Sequence, residues 1–148
     1  MTDVSIPHPI DDIDAFAAAY SVAWTKDPEG LLEFFDPAGT YTDMAMGTTY
    51  AGHDGIARFH RWMLKFAPDS VIEFCAPAAR DGVLYLEWQW EGSFEGALRL
   101  ADGSLVPSNG QRFSVPGVAA CHIGTDGTLT SHRDFWDVTQ MMAQLRTT

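Results

Sequence analysis

The chain has 148 residues, 46% of them apolar and 12% aromatic, which suits one well-cored domain and is short for two. Its 9 Lys and Arg are scattered and outnumbered by 20 Asp and Glu, giving a formal charge of −11 that excludes nucleic acid as a natural partner. No basic stretch followed by an apolar run opens the sequence and no segment is long enough to span a bilayer, so a cytoplasmic protein without membrane contact is expected.

After a leader containing Pro7 and Pro9, Asp11 or Asp12 can cap a helix on which Ile13, Phe16, Ala17, Tyr20 and Trp24 share one face. Asp27-Pro28 restarts a second helix, with Leu31, Leu32 and Phe35 on its buried side and Pro37-Ala38-Gly39 as its end. Thr40 to Met44 reads as a short strand, followed by a loop from Gly47 to Gly52. A third helix begins near Asp54 and puts Ile56, Phe59, His60 and Met63 on one side.

From there the pattern is β: strands over about 70–76, 83–91, 93–100, 111–123 and 128–137, separated by Asp81-Gly82, Asp102-Gly103, Asn109-Gly110 and Asp126-Gly127. The third and fourth of these are placed to pair as a long hairpin. In the second, Leu84, Leu86, Trp88 and Trp90 form one apolar face. Helices first and strands later, without a βαβ rhythm, predict an α+β domain whose antiparallel sheet curves around helices. Cys75 and Cys121 lie on apolar runs and are expected as buried thiols; neither they nor the histidines have the spacing of a metal site.

The last predicted strand carries the chemistry. Its alternation puts His132, Asp134 and Trp136 on one face and Ser131, Arg133 and Phe135 on the other. A carboxylate between an imidazole and an indole on the buried side of a sheet is a fitting proton-transfer group. The plainer reading is an exposed carboxylate paired with Arg80 or Arg112. Asp43, after a short strand, is either a turn cap or a second acid–base group, and Tyr20 and His60 are either core residues or site residues.

The element order, the Asp43 strand end, the helix Asp54-Gly-Ile-Ala-Arg-Phe-His-Arg-Trp62, the Val115-Pro-Gly-Val118 segment and the ending Arg133-Asp-Phe-Trp-Asp137 together resemble the NTF2-like superfamily. Within it the chain is most similar to SnoaL-like polyketide cyclases, relatives of ketosteroid isomerases and limonene-epoxide hydrolases. The resemblance runs from about Asp12 to Leu145, within a single domain covering 1–148. It implies a cystatin-like cone of bent antiparallel sheet, closed by three N-terminal helices around a pocket.

By the same resemblance, Tyr20 matches the isomerase tyrosine that donates to an enolate oxygen, Asp43 the isomerase base, and His60 a supporting tyrosine. The isomerases' second oxyanion donor aligns with Ala119, which removes a two-donor steroid site. Asp134 matches a catalytic aspartate of the epoxide hydrolases, whose Arg-x-Asp is replaced here by Glu87-Trp-Gln-Trp90; that route is not expected. The implied function is a cofactor-independent, metal-free enzyme of cyclase or isomerase type, acting on a hydrophobic, oxygenated polyketide- or terpenoid-like molecule. Asp134, Asp43, Tyr20 and His132 are the catalytic candidates, and His60, Trp24, Trp88, Trp90, Trp136, Phe59 and Met63 line the substrate. The alternative is a non-catalytic ligand-binding or protein-interaction domain. A homodimer through the outer sheet face is expected in either case.

Overall fold

A computed structural model of the chain describes residues 6–100 and 102–146. Helix α1 (Ile13–Lys26) starts where the Asp12 carboxylate accepts from the Ala15 amide at 3.0 Å, and it buries Phe16, Tyr20 and Trp24 along one side. Helix α2 (Pro28–Glu33) is capped by Asp27 and has Pro28 in its first turn. It is shorter than expected. The Phe34 carbonyl accepts from the Leu129 amide at 2.8 Å, which draws the chain out of the helix, so that Phe35 opens strand β1 (Phe35–Asp43) instead of closing α2. Pro37-Ala38-Gly39 forms the irregular stretch of that strand, a position that tolerates a residue without an amide donor.

The segment expected as a loop contains strand β2 (Thr48–Ala51), paired antiparallel with β1 after Gly47 reverses the chain at φ +70. Helix α3 (Gly52–Phe66) follows and buries Ile56, Phe59, His60 and Met63 on one face. Strands β3 (Val71–Arg80) and β4 (Val83–Ser93) are joined by Asp81-Gly82, both at positive φ, the tight hairpin turn that their sequence announces.

The expected strand over 93–100 and its hairpin with 111–123 are not formed. The Phe66 carbonyl accepts from the Glu95 and Gly96 amides at 2.9 and 3.0 Å and pulls this segment to the end of α3. Only the short strands β5 (Leu98–Arg99) and β6 (Leu105–Val106) pair there, with each other. Strand β7 (Arg112–Ile123) pairs instead with β4 along its whole length, and strand β8 (Leu129–Trp136) lies on its other side. Helix α4 (Val138–Leu145), capped by Asp137, was not anticipated.

The main sheet has the order β2-β1-β8-β7-β4-β3 and is antiparallel except for the parallel pair β1–β8. Helix α1 packs on β3, α3 on β1 and α4 on β7, all helping to close the concave face. Leu84, Leu86, Trp88 and Trp90 of β4 face inward as their alternation requires, each of these large side chains contributing about 1.5–3 kcal/mol by leaving water. Cys121 is buried, but Cys75 is exposed, because the alternation of β3 turns Ile72 and Phe74 inward and Glu73 and Cys75 outward; both are free thiols. Among the described residues no helix is long and apolar enough to cross a membrane.

Candidate active site in the cone

The parallel pairing of β1 with β8 builds the polar end of the cone. It sets Tyr41 opposite His132 and Asp43 opposite Asp134, and all four side chains point to the concave side. Asp134 collects three donors. His132 Nε2 lies 2.6 Å from Oδ1, the Trp88 indole donates to the same oxygen at 3.0 Å, and the Tyr41 hydroxyl donates to Oδ2. Behind them the Tyr20 hydroxyl is 2.7 Å from His132 Nδ1, and Cys121 Sγ is 3.4 Å from that nitrogen. Asp43 holds a separate position: its Oδ1 accepts from the Trp136 indole at 2.9 Å and from the Met46 amide at 3.1 Å. It therefore caps the β1–β2 turn and faces the cone at once.

The surroundings set the protonation states. Burial works against a charged His132, but the Asp134 carboxylate at 2.6 Å, helped by Cys121, outweighs it and pushes the imidazole up to about 10. His132 is thus an imidazolium paired with a carboxylate. Burial also pushes Asp43 above the usual carboxylate range; its Trp136 and Met46 bonds oppose this, and the nearby Asp134 charge adds to it. Tyr41 is pushed well up by burial and then by Asp134 and Asp43, and Tyr20 by burial and Cys121, so both phenols stay neutral.

These groups border a cavity of about 650 Å³ including its open mouth. Of the residues expected at the site, Asp43, Asp134, Trp24, Trp88, Trp90, Trp136, Phe59 and Met63 line it. Tyr20 and His132 do not; they form a layer behind Asp134. His60 is not at the cavity either. It is fully buried and its Nε2 donates to the Trp24 carbonyl at 2.7 Å, clamping α3 to α1, with burial holding its imidazole low. Neither arginine weighed as a partner reaches Asp134: Arg112 pairs with Asp69 at 2.8 Å and Arg80 with Asp81 at 3.4 Å.

Several lining residues escaped the sequence reading. Tyr41 was within reach, since it sits two positions from Asp43 on the same strand face. Leu98 lies within the strand expected over 93–100 but pairs elsewhere, and Val138 and Met141 belong to α4, which was not foreseen. Among the described residues no three His, Cys, Asp or Glu side chains are grouped to hold a metal.

A bent, unclosed sheet wrapped by helices, with an aromatic cavity ending in carboxylates, defines the ketosteroid isomerase-like class of cone domains, the NTF2-like superfamily. Within it, the chain belongs to the SnoaL-like domain family, whose sequence model matches residues 13–132. No curated protein is significantly similar to it in sequence. A structure described as a SnoaL-like polyketide cyclase from Jannaschia sp. CCS1 superposes with a TM-score of 0.77 at 16% identity, covering 100% of this chain and 99% of that one. A protein of ketosteroid isomerase-like fold from Catenulispora acidiphila DSM 44928, in complex with trimethylamine, gives 0.72 at 22% identity over 86% and 89% of the two chains. TerC, co-crystallised with polyporic acid, gives 0.67 at 18% identity over 91% and 98%. At these identities the likeness establishes the fold.

Proposed function

We propose that this chain is a cofactor-independent acid–base enzyme of cyclase or isomerase type, acting in the cytoplasm on a hydrophobic, oxygenated molecule, polyketide- or terpenoid-like, held in the cone. The observation carrying this reading is Asp134, a carboxylate on the wall of an aromatic cavity, fixed by His132, Trp88 and Tyr41. Family membership and the small molecules held by two structural neighbours support it.

In this reading Asp134 Oδ2 takes the proton from a carbon beside a carbonyl. The C–H bond breaks, an O–H bond forms, and the electron pair moves to the carbonyl oxygen as an enolate. The Tyr41 hydroxyl donates to Oδ2 at rest; once Oδ2 carries a proton, Tyr41 is released to donate to the enolate oxygen. His132 and Tyr20 act from behind, as positioning residues that hold the carboxylate plane. The enolate carbon then attacks a second carbonyl or is reprotonated elsewhere.

Deuterium exchange at the α-carbon of a panel of enolisable ketones, followed by NMR, tests this. Wild type exchanges, and Asp134→Asn loses about 100- to 10,000-fold while keeping its circular dichroism. Unchanged exchange in Asp134→Asn removes the proposed base. Binding without turnover is the second reading, favoured by the commitment of the Trp88, Trp90 and Trp136 indole donors to protein groups instead of a ligand oxygen. Native mass spectrometry showing a ligand retained unaltered selects it.

A further inference from the structure

The charge in the cavity is one-sided: its lining holds two aspartates and no Lys, Arg or His. The Trp88 and Trp136 indoles and the Tyr41 hydroxyl donate to the two carboxylates, and the Trp90 indole donates to Ser70 Oγ at 3.0 Å. The Trp24 N–H is buried against the Tyr20 hydroxyl without a partner in hydrogen-bond geometry, which leaves Trp62, 37% exposed. Asp43 Oδ1 accepts from the Trp136 indole and the Met46 amide, the Ala45 amide also acts on this carboxyl, and no Lys, Arg or His among the described residues pairs with it, although it is only 6% exposed. Asp134 has His132 as its counter-ion; Asp43 has none. No lining residue is basic, and the wall is otherwise aromatic and aliphatic.

A carboxylate without a counter-ion, a lining without any basic group and a ring of aromatic faces are complementary to one ligand type. A carboxylate, phosphate or other anion would meet negative charge with nothing to offset it. A cation would supply the missing counter-charge and rest its substituents on ring faces. We infer that the cavity selects a hydrophobic amine in its charged form, tertiary or quaternary, with the nitrogen against Asp43 and its substituents against the surrounding aromatic rings. This rests on the reading of the cone as the ligand site and names the ligand's chemical class. Because Asp43 and Asp134 are direct neighbours across β1 and β8, the carbon facing Asp134 lies only a few bonds from that nitrogen.

Isosteres separate charge from shape. Phenyltrimethylammonium and tert-butylbenzene have nearly the same volume and differ by one positive charge. Titrated into wild type at pH 8 and fixed ionic strength, with tryptophan fluorescence and calorimetry as readouts, the cation binds about tenfold or more tighter, a difference of about 1.4 kcal/mol. Asp43→Asn brings the two Kd values together while leaving that of tert-butylbenzene unchanged, which also shows that the cavity is intact. Equal Kd values in wild type overturn the charge selection and leave the ligand site standing. A tenfold preference that survives Asp43→Asn overturns the seat at Asp43. Failure of both compounds to bind overturns the reading of the cone as the ligand site.

Discussion

Asp43 and Asp134 are the same residue type on adjacent strands, and their neighbours make them different groups. One is held by an imidazolium, an indole and a phenol; the other sits in an apolar wall with an indole and a backbone amide. The His132–Asp134 pair has a consequence for stability. His132 keeps its proton to about 10 in the folded chain, against about 6.5 when unfolded. Below pH 6.5 both states are protonated and the stabilisation is fully present. Above pH 6.5 the unfolded chain releases its proton while the folded chain keeps it, so the stabilisation declines with rising pH and is lost by about pH 10. Tyr20 and Tyr41, neutral in the fold, carry the same sign above pH 10. Urea denaturation should show wild type losing up to about 4 kcal/mol more than His132→Gln between pH 6.5 and 10. Parallel curves for the two proteins in that window rule out the charged pair.

At the level of elements, the strand alternation places the chemistry and one glycine lets it fit. Gly117 of β7 lies opposite Trp88 in register, and a Cβ there would stand 2.1 Å from Cζ2 and 2.4 Å from Cε2 of the indole. The bare backbone lets the ring lie flat and carry its N–H to Asp134. Gly117→Ala should cost about 1–3 kcal/mol by overpacking and shift the Trp88 indole N–H resonance. Adding Trp88→Leu should recover part of the stability; costs that simply add would deny the contact.

The Val115-Pro-Gly-Val118 segment was readable as a motif, yet its reason, an indole from another strand, was not. The inward faces of β4 and β8 were legible because period-2 alternation is a local signal. The β1–β8 pairing, the diversion of residues 93–100 to α3 and the cover supplied by α4 depend on backbone partners distant in the chain, and local pattern does not encode them. For the same reason His60, on an apolar helical face, gave no sign of whether it met a ligand or the Trp24 carbonyl.

On the scale of the whole molecule, no helix among the described residues packs on the convex face of the sheet. Across β4, β7 and β8 it presents the rows Glu87–Val118–Phe135 and Tyr85–Ala120–Arg133, with Tyr85, Val118 and Phe135 exposed at 46%, 42% and 41%. Arg133 lies over the Phe135 ring at 5.3 Å with its Nε buried and unpartnered. We propose that a second copy of the chain, related by two-fold symmetry, covers this face and its exposed apolar side chains. Light scattering should give a dimer that tightens with salt, since each copy carries −11, and Val118→Glu should give a folded monomer. A monomer at every concentration and ionic strength excludes this interface.

The parallel pair at the end of the cone also fixes an order of events. Tyr41 and Asp134 are 93 positions apart, and no turn links their strands. Closing so long a loop is entropically costly and places this domain among the slower-folding topologies. A ribosome finishes the aromatic wall of β4 well before it makes residue 134, so a nascent chain spends that interval with an apolar hollow that has no finished polar floor. Its hazard during synthesis is misplaced sticking to other apolar surfaces, and the polar floor of the cone is complete only when the last strand docks.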